Sequence, residues 1–394
     1  WRESGKRGKT LWYPDYRLYY PNGMPFMTKR RIDTIPDLFG KRNLIALSII
    51  WHEINKVEDD VLRDMFKLAF SASLEFVCRL NPLRPSKKQG EYSTKSGWTV
   101  HEYWTPAIHA LNNPIYIFYD RVESIIKGKE ESNKRLGKVR FARNISDLLS
   151  GKADVLLVED SAIRLDEILN GEEEIIDYIF TDPPYGGALQ YYELDFLRNA
   201  WLFPNKLNWH EDEIVINDKQ GKSLEQYYLN LRRSFQEMYK ALKKGGYMTV
   251  TFHHSLIEVY NTVIKAATAA GFDLEKIIFQ PPAVRSAKQS LHPFTSAVGD
   301  YYMRFSKGIQ YKPLEKKSGD ESFEKVAVRN IIEIIAERGE PTSYTTILKE
   351  IYPRLRKEGY LLQASHESIR KILEKYEGEF VFIEGKGWWF RNPG

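Results

Sequence analysis

Cysteine is nearly absent from this chain: 394 residues include one, Cys78. A lone thiol makes neither an internal disulfide nor a metal site by itself, so a disulfide-stapled secreted fold is excluded and a reducing cytoplasm is the expected home. Long apolar runs are also missing. Nothing approaches the roughly 18 uninterrupted apolar residues that span a bilayer, and no secretory signal is visible, so no membrane partner is expected. Excess charge of one sign is absent: 58 Lys and Arg stand against 53 Asp and Glu, a net charge of +5. That balance is compatible with a nucleic-acid partner without requiring one. What is present is ordinary for a soluble globular chain, 42% hydrophobic and 28% charged, with room for two domains or one large domain and an appendage.

One stretch stands out. Ile175 to Thr181 is a short apolar run rich in β-favouring residues, and it ends abruptly in Asp182-Pro183-Pro184-Tyr185-Gly186-Gly187. It reads as a buried strand opening at its carboxyl end into a rigid loop, the end where open α/β sheets bind ligands. Pro183 and Pro184 have fixed φ and no N–H, so they hold a stiff turn with outward carbonyls. Asp182 adds an acceptor before them and Tyr185 a flat aromatic face after them. Acceptors beside a stacking platform suit a planar substrate with an exocyclic NH2.

Asp182-Pro183-Pro184-Tyr185 resembles the (D/N/S)PP(Y/F) motif of the amino-methyltransferases, which methylate exocyclic amines with S-adenosylmethionine. Two further landmarks lie in the family's order. Asp154-Val155-Leu156-Leu157-Val158-Glu159-Asp160-Ser161 resembles its third strand, whose terminal acidic residue meets the cofactor's adenine. Leu242 to Phe252, with Gly245-Gly246, resembles its Gly-Gly turn and fifth strand. The likeness covers roughly residues 10 to 306 and is nearest to bacterial and archaeal DNA methylases of the restriction-modification kind. It implies a class I methyltransferase (Rossmann-like) α/β sheet. It implies catalytic roles for Asp182, Pro183, Pro184 and Tyr185, and cofactor binding by Asp160, Ser161 and Asp182. The Asp form of the motif favours N6 of adenine over N4 of cytosine. Methyl transfer to guanine N2 of tRNA and a non-catalytic DNA-binding or partner-docking subunit remain as alternatives.

The first residue is Trp1 rather than methionine, so an upstream portion is expected. Residues 1–32 read as an extended basic lead-in. Residues 33–139 read as the helical segment of the methyltransferase, with helices over Asn43–Ile54, Asp59–Arg79 and Ile115–Lys127. A charged linker is expected at Gly128–Gly137, and the Lys-rich loop Ser86–Ser96 is a candidate DNA-facing insertion. From 140 to 306 strands and helices alternate, the pattern of a parallel sheet with crossover helices. Strands are expected at Asp154–Val158, Ile176–Thr181, Tyr247–Phe252, Glu275–Phe279 and Gly299–Phe305, the last two forming an antiparallel edge. Helices are expected at Ser223–Lys243 and Ser255–Ala270.

The first two strands of such a sheet, and the Gly-rich loop that lets backbone approach the methionine moiety, are not found. The one Gly-x-Gly, Gly385-Lys386-Gly387, reads as a hairpin turn. The sheet is therefore expected to be incomplete, with the loop supplied by an upstream portion or a second polypeptide.

DNA is the expected substrate partner. Tyr191 is a candidate wall for the target base, and His253 could line the site. His253 and His254 point opposite ways on a strand, a poor metal pair, and no metal site is expected. Arg285 and Lys288, in a small-residue loop, are candidates for phosphate or target-strand contact. Residues 307–322 read as a linker that isolates the C-terminal part of the chain. Residues 323–394 have the plan of a winged helix: three helices near Glu324–Arg338, Ser343–Leu355 and Ser365–Tyr376, then strands Glu379–Ile383 and Gly387–Phe390. His366, Ser368, Arg370 and Lys371 lie on the would-be reading helix.

Overall fold

In the computed structural model, the run ahead of the Asp-Pro-Pro turn is a strand, Ile176–Thr181. The structure describes residues 11–26, 32–85, 92–93, 103, 105–204, 211–253, 257–280, 300–308, 322–358, 360, 364, 366–376 and 378–391. In chain order the helices are α1 (Lys41–Ile54), α2 (Asp60–Val77), α3 (Pro114–Leu136), α4 (Ile145–Leu149), α5 (Leu165–Ile168), α6 (Tyr191–Leu202), α7 (Leu224–Ala241), α8 (Ile257–Ala269), α9 (Phe323–Arg338), α10 (Tyr344–Lys357) and α11 (His366–Lys375). The strands are β1 (Arg84–Pro85), β2 (Tyr92–Ser93), β3 (Ile176–Thr181), β4 (Leu242–Phe252), β5 (Asp273–Gln280), β6 (Asp300–Ser306), β7 (Phe380–Ile383) and β8 (Gly387–Phe390). No helix among the described residues is long and apolar enough to cross a membrane.

Two compact units make up the chain. A helical unit takes in Trp1–Leu157, Gly187–Glu213 and Asn217–Lys222; a sheet unit takes in Val158–Gly186, Ile214–Ile216 and Ser223–Gly394. In the helical unit, Asp59 caps α2 by accepting from the Leu62 N–H at 2.8 Å. α2 then buries Ala69, Phe70, Leu74 and Val77. The spacing is one helical face. α6 delivers Phe196, Leu197, Ala200 and Trp201 to the same core, where the Trp201 ring lies 5.1 Å from that of Phe70. Cys78 is buried there, and desolvation pushes its thiol up to about 12, so it is inert at neutral pH.

The expected linker at Gly128–Gly137 is helix instead: α3 continues to Leu136 and stops at Gly137, φ 64°. Its buried face is almost nil, with Pro114 alone buried. A polar helix of this kind is held by side-chain pairs such as Glu131–Arg135 at 2.6 Å. Lysine and glutamate are good helix formers, and Gly128 costs only about 1 kcal/mol within such a run.

The sheet unit holds four strands in the order β3-β4-β6-β5. β3 and β4 are parallel; β6 is antiparallel to both β4 and β5. Met248, Val250, Phe252, Met303 and Phe305 meet Leu231 and Phe235 of α7 and Val263 of α8 in one apolar core. The antiparallel edge is where the sequence puts it. The strand expected at Asp154–Val158 is not: Val155 makes a single parallel bridge with Phe141, and Leu157 and Val158 are 74% and 50% exposed. The reason is pairing. In the doubly wound order 3-2-1-4-5-6, two strands separate the third from the fourth. No strand stands on the outer side of β3 among the described residues, so residues 154–158 have no ladder to join. β3 leaves Tyr178 and Phe180 exposed.

Beyond the sheet, α9, α10 and α11 enclose Ile331, Ile335, Ile351, Tyr352, Ile369 and Leu373, and the β7–β8 hairpin adds Phe380. Gly385-Lys386-Gly387 is the hairpin turn. A Cβ on Gly387, φ 118°, would stand 2.5 Å from the Thr342 carbonyl oxygen. Only glycine allows that approach, which lets Thr342 and Trp388 exchange two 2.8 Å backbone bonds. The expectation that the linker isolates this C-terminal part is corrected. α10 packs against β5, and the buried Asn261 of α8 donates from Nδ2 to the Ala364 carbonyl at 3.4 Å.

Candidate active site

Register sets the first contact. Thr181 pairs with Val250 across the parallel β3–β4 ladder, so the next residues on the two strands, Asp182 and Thr251, come side by side at the carboxyl ends. Thr251 Oγ1 donates to Asp182 Oδ1 at 2.8 Å, and Tyr185 Oη donates to the same oxygen at 2.7 Å. Among the described residues, Asp182 Oδ2 accepts nothing. One carboxylate oxygen is a fixed strut and the other is an exposed acceptor.

The turn itself is braced from below. Tyr227, fully buried on α7, donates from Oη to the Pro184 carbonyl at 2.5 Å. The Gly186 N–H donates to that carbonyl at 2.9 Å. Pro184 O is thus spent on the scaffold, whereas the Pro183 carbonyl takes no hydrogen bond among the described residues. Gly186 sits at φ 58°, and a Cβ there would stand 2.7 Å from Val259 Cγ1. Its carbonyl accepts from the Ile216 N–H at 3.1 Å. The Tyr185 ring meets Phe252 edge-on, centroids 5.3 Å apart at 80°, which fixes the plane of its exposed part. His253 follows Phe252, 6.2 Å from the Tyr185 ring, with Nδ1 3.2 Å from Asp300 Oδ1. The geometry therefore brings Asp182, Pro183, Pro184, Tyr185 and His253 together.

The other expected site residues have separate settings. Asp160 Oδ1 accepts from the Ser161 N–H and from Arg164 Nε, both at 2.7 Å. The Arg164 guanidinium, then the Ser161 amide, hold the Asp160 carboxyl below the usual carboxylate range. Ser161 in turn caps the short helical turn Ala162–Arg164. Tyr191 opens α6 in the helical unit, 39% exposed. Arg370 Nε lies 2.7 Å from Glu374 Oε1 one turn along α11, and that pairing raises its pKa further. Lys371 is exposed beside it. Arg285, Lys288 and His254 lie outside the described residues.

Sequence reasoning missed Thr251, Tyr227 and Val259. Thr251 was within reach, since the register of two recognised strands predicts it. Tyr227 and Val259 are apolar-stripe positions on amphipathic helices, and nothing in the local pattern separates them from ordinary core.

A family model described as DNA methylase matches residues 176–377, just over half of the chain. No curated protein matches it. Among solved structures, one similar chain is a candidate DNA modification methylase from Thermus thermophilus complexed with S-adenosyl-L-methionine. It is 17% identical over 43% of this chain and 64% of its own length, with a TM-score of 0.22. A second structure of the same protein is 13% identical over 45% of this chain and 62% of its own, TM-score 0.23. The match spans less than two thirds of either structure.

Proposed function

The chain belongs to the DNA methylase family, and on that premise we propose that it moves a methyl group from S-adenosylmethionine to the exocyclic amine of a DNA base at the Asp182–Tyr185 turn. N6 of adenine is placed ahead of N4 of cytosine. The observation that carries this reading is the division of labour among the acceptors: Asp182 Oδ1 and Pro184 O are tied to the scaffold, while Asp182 Oδ2 and Pro183 O are not. The exposed Asp182 Oδ2 and the carbonyl of the next residue, Pro183, neither of them tied to the scaffold, are acceptors for the two hydrogens of an NH2 group.

Asp182 and the Pro183 carbonyl accept from the amine and turn its lone pair towards the electrophile. That favours the pyramidal nitrogen of the transition state over the planar ground state. Tyr185 stacks on the flipped base, offsetting about 1–3 kcal/mol of the unstacking cost. No strong base is needed, because the proton leaves after the nitrogen has become cationic. Asp160, Ser161 and Asp182 are the residues that would hold the cofactor, which supplies an activated methyl group on sulfur when bound. Their acceptor chemistry suits its hydroxyl and amine hydrogens, and the described residues include no Gly-rich loop for its methionine end.

The reading extends to a further segment, in cis or on a second polypeptide, that carries such a loop and pairs with β3. It is supported by the side of β3 that has no neighbour among the described residues and by the exposed Tyr178 and Phe180. The C-terminal part is read as a winged-helix-like domain. Pairing of Arg370 with Glu374, Arg338 with Glu350 and Arg354 with Glu333 and Glu337 favours a docking role over DNA reading for its surface. The test is transfer of labelled methyl groups to duplex DNA, with and without the loop-bearing segment, followed by identification of the modified base. Label on N6-methyladenine supports the reading; label confined to tRNA, or none under either condition, overturns it.

A further inference from the structure

The helical unit contains a buried carboxyl that no step of the reaction uses. Glu193, in the first turn of α6, is 2% exposed, and its partner Tyr20 belongs to a cluster of rings with Phe26, Tyr192 and Phe196 that contact one another at centroid distances of 4.8–6.3 Å. A chain of hydrogen bonds connects it to the backbone at Gly187. Tyr20 Oη donates to Glu193 Oε1. Asn217 Nδ2 donates to Tyr20 Oη at 2.9 Å and to Gln190 Oε1 at 2.6 Å. Gln190 Nε2 then donates to the Gly187 carbonyl at 3.3 Å. Gly187 is the residue that leaves the Asp182–Gly186 turn. Asn217 is itself fixed, exchanging 2.8 and 3.0 Å backbone bonds with Lys222 and accepting from the Gln220 N–H at 3.2 Å.

We propose that Glu193 is a positioning residue: acting through Tyr20, Asn217 and Gln190, it anchors the chain where it leaves the motif turn at Gly187. This rests on the methyl-transfer reading for its consequence, though not for its structure. Asn217 Nδ2 donates in both directions, to Tyr20 on the Glu193 side and to Gln190 on the Gly187 side, so it ties the two halves together; the Glu193 end is buried and the Gly187 end is exposed. A carboxyl in such a place is stable as the neutral acid. Burial first, then the Glu213 carboxylate, raise its pKa to about 7 against the opposing pull of Lys219 and the Tyr103 backbone. The surrounding charges are committed elsewhere. Lys219 Nζ donates to the Phe26 carbonyl at 2.7 Å, Lys222 Nζ to the Glu213 carbonyl at 3.0 Å, and Glu213 Oε1 accepts from the Tyr192 N–H at 2.9 Å. Ionisation of Glu193 would therefore leave a buried charge that has hydrogen-bond donors in Tyr20 and the Tyr103 backbone but makes no ion pair among the described residues. Relieving it by drawing in water or Lys219 loosens the chain above neutral pH.

The test is backbone hydrogen exchange over residues 187–192 in the full chain at pH 6 and pH 8, together with methyl transfer to duplex DNA. In the wild type, protection of the Tyr192 amide, which donates to Glu213 Oε1, falls by about tenfold between the two pH values after correction for intrinsic exchange. Glu193→Gln, which keeps the acceptor and mimics the neutral acid, retains that protection at both. Gln190→Leu, which cuts the last link without touching the buried carboxyl, loses protection at both and lowers kcat more than it raises KM. Equal protection in wild type, Glu193→Gln and Gln190→Leu overturns the proposal. A wild type that methylates no DNA overturns the functional reading, while the exchange data still decide the anchor.

Discussion

Thr251 and Asp182, at the carboxyl ends of two adjacent parallel strands, are joined by a 2.8 Å hydrogen bond onto Oδ1. The bond leaves Asp182 one locked oxygen and one open one, and it makes the orientation of the acceptor a property of the sheet. Removing the carboxylate and removing the strut are therefore different experiments. Asp182→Ala should lower methyl transfer by at least about 100-fold, the loss typical of one preorganised group, with the fold intact. Thr251→Val should cost about tenfold or less, since Tyr185 still holds Oδ1. Equal effects in single-turnover assays would remove the distinction between acceptor and strut.

Tyr227→Phe deletes the donor to Pro184 O while filling the same space. One bond to that carbonyl remains, from Gly186, so a stability loss of about 1 kcal/mol is expected, the value of one hydrogen bond. The rate should fall as well, because the turn carrying both open acceptors is less constrained. Urea unfolding and kcat, measured together, check both parts. Unchanged kcat with reduced stability would confine Tyr227 to the core.

Gly186→Ala places a methyl 2.7 Å from Val259 Cγ1 at a φ of 58°. The crowding and the strained φ together should cost about 1–3 kcal/mol. Val259→Ala in the same chain relieves the first and not the second, so partial recovery of the melting temperature is expected. Full recovery would mean that the left-handed backbone contributes nothing.

Deleting residues 323–394 should destabilise the sheet rather than leave it intact. Tyr260 and Asn261 on α8 are 6% and 7% exposed, and β5 is packed against α10. Uncovering that surface should cost on the order of a few kcal/mol. Calorimetric melting of the two chains decides it, and an unchanged melting temperature would restore the picture of an isolated appendage.

Stability should depend on pH through Glu193. Its folded pKa, about 7, lies above its unfolded value of 4.5. Between these values the folded state keeps a proton that the unfolded state has released, so the free energy of unfolding, and with it stability, falls as pH rises from about 4.5 to 7 and then levels. The penalty above neutrality is on the order of 3 kcal/mol. Glu193→Gln should abolish this limb, so its chemical stability should exceed that of the wild type above pH 7. Identical pH profiles for the two proteins would show that the buried carboxyl does not titrate in this window.

The sequence alone determined what is local or periodic. The strand into Asp-Pro-Pro, the amphipathic helices α1, α2, α7 and α8, the antiparallel edge and the three helices with a hairpin at Gly385–Gly387 were all legible. Side-chain period, turn chemistry and β propensity act over a few residues. Tertiary structure decided what depends on partners far away in the chain. Residues 154–158 have strand composition, yet a strand needs a ladder of backbone bonds along its length, and among the described residues only the 140–142 segment bonds to them, at Asp154 and Val155. α3 outran its apolar pattern because charge pairs, which carry no hydrophobic period, hold it. Tyr227 reaches Pro184 across 43 residues and Tyr20 reaches Glu193 across 173. A buried tyrosine and a buried glutamate look like any others in a one-dimensional string. Their roles come from which carbonyl or hydroxyl the fold sets before them, and from the loss of water that makes each such bond costly to break.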